Sequence, residues 1–293
     1  MDNKVSIVIK LVRSNKKIVL GAHPSSGINS TGVLERVRKF VPFRNWLEKL
    51  DDELVEQKGS DGLSLSEVLV QSVDEFASNK IGFVKFITNA KWLQTNINVP
   101  GIVFMRGGSV SILFIIRKTG SETGLTSHQD DAYVVLTSQP RIPVPDFHML
   151  ELPAGMLDGS GNFCGKAAEE IHEELGLKID PSKLIDLTEL AIGKHDSQPN
   201  QIFGKKLGFY PSSGGSDEFV RLLAYEETMD HKDILSLENK LGGLIEHGEK
   251  IVLRLVKIKD LWKSTVDMKA TSSLYLWDIY QSKKKKLNYN CVK

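Results

Sequence analysis

ELPAGMLDGSGNFCGKAAEEIHEELGL occupies residues 151–177, and four of its last nine residues are glutamates that follow a glycine-rich loop. In GKAAEEIHEELGL, Ala, Ile and Leu recur at spacings that can face a core. Gly176 stands where a helix C-terminus favours a residue tolerant of positive φ. The pattern predicts one helix over residues 166–175. On that helix Glu170 and Glu174 are four apart and Glu173 is three from Glu170, so their side chains share one face. Like charges so placed cost about 0.2–0.5 kcal/mol per pair. Either the face is simply solvated, or something cationic offsets the repulsion. Carboxylates gathered on a rigid helix suit a hard, oxygen-seeking ion such as Mg²⁺, which works with substrate phosphates while keeping several waters.

Working outward, residues 31–56 (TGVLERVRKFVPFRNWLEKLDDELVE) carry apolar residues at helical spacing broken by Pro42, which predicts two helical turns and then a longer helix. LSLSEVLVQSVDEFA is a further amphipathic segment, and the chain changes from helical to sheet-forming near residue 82. VSIVIKLV, KIVLG, IGFVKFIT, GIVFMRGG, VSILFIIRK and AYVVLTSQPRI read as strands. Residues 118–131 are polar and rich in breakers, hence a loop. Beyond the opening stretch, LIDLTEL, FVRLLAYEE and KIVLRLVKI read as strands, SSGGSDE as a turn, and residues 266–281 as a helix.

The 293 residues are 41% hydrophobic, ample for a packed core. Lys and Arg number 38 against 37 Asp and Glu, so no charge excess points to nucleic acid or to an anionic membrane. No apolar run approaches the roughly 20 residues of a membrane helix. Cys164 and Cys291 are too few for a disulfide framework and fit free thiols in a reducing compartment, the cytoplasm. The first 34 residues hold Asp2 as their one acid, which leaves organelle import as the alternative. Among the seven histidines no HxH or HExxH occurs, which argues against zinc. GSGNFCG lacks the GxGxxG spacing of a dinucleotide fingerprint.

The segment resembles the box of the Nudix hydrolases, GX5EX7REUXEEXGU with U a bulky aliphatic residue. Gly155, Glu170, Ile171, Glu173, Glu174, Gly176 and Leu177 fall at its spacing. LELPAGM before the box, AYVVLTSQPRIP upstream, and SSGGSDE and EHGEKIVLRLV downstream are similar to the branch that cleaves ADP-ribose and nucleotide sugars. FRNWLEKL, VPGIVFMRG and ELPAGMLD resemble the plant-type ADP-sugar diphosphatases most, and the likeness extends over about residues 40–280. It implies an α/β protein: a Nudix α/β/α sandwich with a mixed sheet (residues 101–282), after a smaller helix-and-strand domain (residues 1–100) and before a basic tail (residues 283–293).

The same resemblance implies Mg²⁺-dependent hydrolysis of an ADP-sugar to AMP and a sugar 1-phosphate, with Mn²⁺ as an alternative ion. It assigns Glu170, Glu173, Glu174, Glu249 and the carbonyl of Ala154 to the metal, and Glu249 and Glu173 to catalysis. Arg106, Arg141, Gly155, Met156 and Glu218 are assigned to the substrate. It also implies a homodimer in which the N-terminal region helps shape the substrate site. Two box positions depart from the signature: Gly161 replaces the first glutamate and Glu169 the arginine. In the family these two pair, so their joint loss strands neither charge. Lys166, four residues before Glu170, could supply a nearby cation, and Asp158 could approach the site if the loop differs in length. A degenerate module that binds nucleotide or protein without turnover is the alternative these departures raise.

Overall fold

The computed structural model describes residues 5–57, 62–76, 80–120, 132–157, 162–193, 207–243 and 249–290, with no side-chain description for 285–290. The chain divides into two compact units, Met1–Gly108 with Ser212–Glu218, and Ser109–Pro211 with Phe219–Lys293. The first unit therefore runs eight residues past the expected boundary at 100 and takes in a segment from far along the chain. Backbone bonds make that segment part of it. Phe104 N–H donates to Gly215 O, and Arg106 and Gly107 N–H donate to the Asp217 carboxylate.

In the first unit, strands β1 (Ser6–Lys10), β2 (Lys17–Ala22), β3 (Leu63–Phe76), β4 (Lys80–Trp92) and β5 (Asn98–Val99) form a sheet in that order, with β6 (Ile102–Met105) also paired to β4. Helices α1 (Thr31–Lys39) and α2 (Val41–Glu56) cover one face, burying Leu34, Val37, Phe43 and Leu47 against Leu20, Val68, Val84 and Phe86. Ser30 caps α1, and Pro42 sits in the first turn of α2, where its missing N–H costs nothing. Residues 63–76 correct the sequence reading, which placed them before the change to sheet. They are a strand, and antiparallel pairing with β4 along nearly their whole length decides it.

In the second unit, β7 (Ser109–Lys118) and β8 (Ala132–Arg141) are central. With β9 (Asp146–Glu151), β10 (Ala154–Met156), β11 (Ile185–Asp186), β12 (Val220–Met229), β13 (Leu241–Gly242) and β14 (Ile251–Lys257) they build a mixed sheet, β12 and β7 being parallel. Eight successive residues from Ser109 are buried because the strand is covered on both sides. Ile112 and Phe114 pack toward α3 (Phe163–Glu170) and α5 (His231–Ser236), while Leu113 and Ile115 pack toward α4 (Leu187–Ile192), α6 (Leu261–Ser264) and α7 (Met268–Asn290). The result is the expected α/β/α layering. LIDLTEL, read as a strand, keeps two strand residues and then turns helical, because Asp186 caps α4 by accepting from Glu189 N–H. Residues 283–290, assigned to a tail, continue α7.

Candidate active site

The box helix starts at Asn162, whose Oδ1 accepts from Gly165 N–H at 2.9 Å. It is α-helical through Glu170 and then widens into a π turn, Ile171–Leu175, so the single regular helix expected over 166–175 changes form between its carboxylates. Gly176 ends it with φ +69°, and its N–H donates to His172 O. Lys240 Nζ and Gly243 N–H reach the carbonyls of Leu175 and Glu173, which ties the C-terminal end to the loop around β13.

This geometry separates the carboxylates. Glu170 and Glu174 are buried, at 8% and 6% exposure, whereas Glu173 and Glu169 face solvent. Both buried groups lie against β10. Glu174 Oε2 accepts from Ala154 N–H at 3.3 Å, and a Cβ placed on Gly155 would come within 1.8 Å of the Glu170 carboxylate. Gly155 thus permits an approach that any other residue would block. Ala154 is set in the sheet by pairing with Ser111, and Met156, 36% exposed, by pairing with Ser109.

Lys166 Nζ lies 2.8 Å from Glu170 Oε1 and 3.5 Å from Glu169 Oε2. Burial works to lower its pKa, but the hydrogen bond and charge of Glu170, with Glu173 and Glu169, push it up. Glu170 is held above the usual carboxylate range, chiefly by burial. Lys166 opposes that rise, while Glu173 and Glu249 add to it. Glu174 is pushed up to about 8, first by burial, then by the charge of Glu170, with Glu249 adding. The Ala154 N–H and the charge of Arg141 pull the other way. Glu249 is itself exposed. Glu170, Glu173, Glu174, Glu249 and Arg141 therefore act on one locality.

Among the described residues no three metal-ligating side chains already form a cage. The donors nevertheless suit a hard cation, being carboxylates whose negative charges raise the proton affinity of the two buried ones, Glu170 and Glu174. Closing them on an ion requires movement from these rotamers. Arg141, expected at a substrate phosphate, is paired with Glu151. Arg106 and Glu218 belong to the first unit and stand 3.7 Å apart as a loose ion pair. Asp158 and Gly161 lie outside the described residues. Glu151 opens the ELPAGMLD stretch without being assigned a role there, and Asp267, which accepts from Leu152 N–H, carries no local signal because its partner is 115 residues away.

No protein-family model matches the chain. A solved structure described as an ADP compounds hydrolase is 12% identical, with a TM-score of 0.48, over 78% of this chain and 98% of that one. A curated protein of Arabidopsis thaliana, named Nudix hydrolase 14, chloroplastic, is 36% identical over 269 residues, spanning 91% of this chain and 78% of that protein. A likeness of that identity running through both units, over a box whose buried glutamates and glycines lie where the signature places them, makes this chain a member of the Nudix hydrolase family.

Proposed function

We propose that the chain hydrolyses the diphosphate of an ADP-sugar, of the ADP-ribose or ADP-glucose type, to AMP and a sugar phosphate with the help of Mg²⁺ or Mn²⁺. The observation that carries this reading is the pair Glu170 and Glu174, two buried carboxylates of the box helix that lie against β10 and whose charges oppose each other. Burying like charges is costly unless a cation joins them. Glu170, Glu174, Glu173 and Glu249 would hold that cation, with the Ala154 carbonyl. A divalent ion there supplies neutralisation of the phosphate oxygens and a more acidic water.

Glu249 acts as the base that accepts the proton of the attacking water, with Glu173 as the second carboxylate available for that role. The water oxygen bonds to one phosphorus, the bridging P–O bond breaks, and the leaving phosphate takes the proton. Arg141 binds the diphosphate oxygens, and Gly155 and Met156 line the strand beside them. Arg106 and Glu218 are the remaining substrate contacts of this reading. The Arabidopsis relative is named chloroplastic, which brings an organelle into consideration beside the cytoplasm. No helix among the described residues is long and apolar enough to cross a membrane.

For assembly we propose a homodimer through the sheet face of the first unit that α1 and α2 leave uncovered. Phe76, Phe83 and Phe104 form a ladder of ring contacts, and Phe76, Ile102 and Phe104 are exposed. A Phe104→Asp variant that stays the same size as the parent by light scattering would remove this proposal. For the activity, purified protein with Mg²⁺ is offered ADP-ribose, ADP-glucose and other nucleotide sugars while AMP is measured. AMP release that EDTA abolishes is expected. Tight nucleotide binding without any AMP would instead favour the binding module that Glu169 raises.

A further inference from the structure

A chain of four charges in the second unit joins Arg141, which the mechanism above uses, to three residues that it does not, Glu151, Lys269 and Asp267. Arg141 ends β8, and its Nε donates to Glu151 Oε2. Glu151 ends β9 with its side chain 11% exposed, and its other oxygen accepts from Lys269 Nζ at 3.2 Å, from 118 residues further on. Lys269 lies 2.9 Å from Asp267 Oδ1. Asp267 is fixed by backbone: Leu152 N–H donates to Oδ2 and Lys269 N–H to Oδ1, each at 3.0 Å. Thr265 Oγ1 accepts from Asp267 N–H and donates to Leu150 O, so the loop before α7 is sewn to the strand that leads into LPAG.

The signs alternate from Arg141 to Asp267 and sum to zero, so buried Glu151 is compensated on both sides. A strut between β9 and α7 would be complete with Glu151, Lys269 and Asp267. Arg141 is the additional member. Its side chain is 40% exposed, its charge reaches Glu174, and its hydrogen bond to Glu151 uses Nε.

We propose that Glu151 is a positioning residue. It fixes the Arg141 guanidinium by its inner edge and leaves the outer edge for the oxygens of a nucleoside diphosphate. This rests on the diphosphate reading given above. An arginine loose in solvent loses side-chain freedom on gripping a phosphate, about 1.5–2 kcal/mol for a long side chain. One already anchored at Nε loses less. Lys269 has a second effect. By sharing the Glu151 carboxylate it keeps Glu151 from cancelling the charge that Arg141 presents to phosphate.

The test is ADP binding by calorimetry with Mg²⁺ present, for the parent, Arg141→Ala, Glu151→Gln and the double variant, with adenosine as control ligand and Tm measured throughout. Arg141→Ala should weaken ADP ~10–30-fold, as loss of a charge-assisted contact does. Glu151→Gln should weaken it ~5-fold, and the double variant should match Arg141→Ala within ~2-fold, because the first change acts only through the second residue. Adenosine should bind all four alike. Losses that multiply in the double variant overturn the positioning role, as does an equal loss of adenosine. Should Glu151→Gln fail to fold, Lys269→Met takes its place. It is expected to weaken ADP ~3-fold with Arg141 present and not at all with Arg141→Ala, and a loss in both backgrounds overturns the proposal. A parent that binds no ADP overturns the diphosphate reading and this inference with it. ADP binding with multiplying losses overturns this inference alone.

Discussion

Lys166 Nζ stands 2.8 Å from Glu170 Oε1, one turn before it on the same helix, so the box carries its own counter-ion to one of its two buried carboxylates. The lysine half-compensates a face that the missing box arginine leaves short of positive charge. Removing it as Lys166→Met strands Glu170 beside Glu174. Fully buried pairs broken in this way cost about 3–5 kcal/mol, and because Lys166 is partly exposed we expect about 1–2 kcal/mol, or a few degrees of Tm, in EDTA. Mg²⁺ should recover most of it, so the rise in Tm on adding Mg²⁺ should be larger for Lys166→Met than for the parent. Equal rises would show that lysine and metal do not compensate the same charge.

Gly155→Ala separates folding from function. The new Cβ would fall within 1.8 Å of the Glu170 carboxylate, which is the free end of a flexible side chain and can swing away at small cost. The fold should therefore survive, with Tm within a few degrees of the parent. The displaced carboxylate no longer lies against the Gly155 backbone, so Mg²⁺-dependent turnover should drop at least ~100-fold, the scale at which small misplacements act. A variant that loses Tm and turnover together, or keeps full turnover, contradicts this placement of Glu170.

How much of this could be read in the sequence depends on how local each cause is. Strands β7 and β8, the box helix and the cap at Gly176 follow from periodicity and neighbouring residues, and they lie where expected. Leu63–Phe76 did not, because Leu63, Leu65, Val68, Leu69 and Val73 satisfy either period and the partner strand decides between them. The family signature located Glu170 and Glu174. It gave no sign of the π turn in which Glu173 lies exposed, nor of Lys269, which meets Glu151 only once the chain has folded.

Stability of the metal-free protein should fall with rising pH because of Glu174. Its pKa is about 8 when folded against 4.5 for the ordinary group, so between these values the folded state binds more protons than the unfolded one. The contribution is fully present below about pH 4.5 and is lost as pH rises toward 8, at no more than about 1.4 kcal/mol per pH unit for one proton. Glu174→Gln removes this term. Denaturant melts in EDTA from pH 5 to 9 should therefore show a shallower decline for the variant, while its Mg²⁺-dependent turnover falls at least ~100-fold. Parallel decline in both proteins would mean that Glu174 is ionised in the metal-free fold.

Glu169 takes the place of the box arginine, yet its side chain is 64% exposed and its one described partner is Lys166, at 3.5 Å. It stands about 100° round the helix from Glu170 and outside the buried pair. Glu169→Arg removes an exposed negative charge and sets a second cation near Lys166, which is then free to serve Glu170 alone. Charges so exposed are screened and contribute little, so turnover should change by less than ~10-fold in either direction, measured with Mg²⁺ on the ADP-sugar that the screen selects. A gain far beyond that would mean that an arginine here reaches the buried carboxylates and that Lys166 only partly replaces it. A loss of that size would assign Glu169 itself to the metal-binding set, despite its exposure.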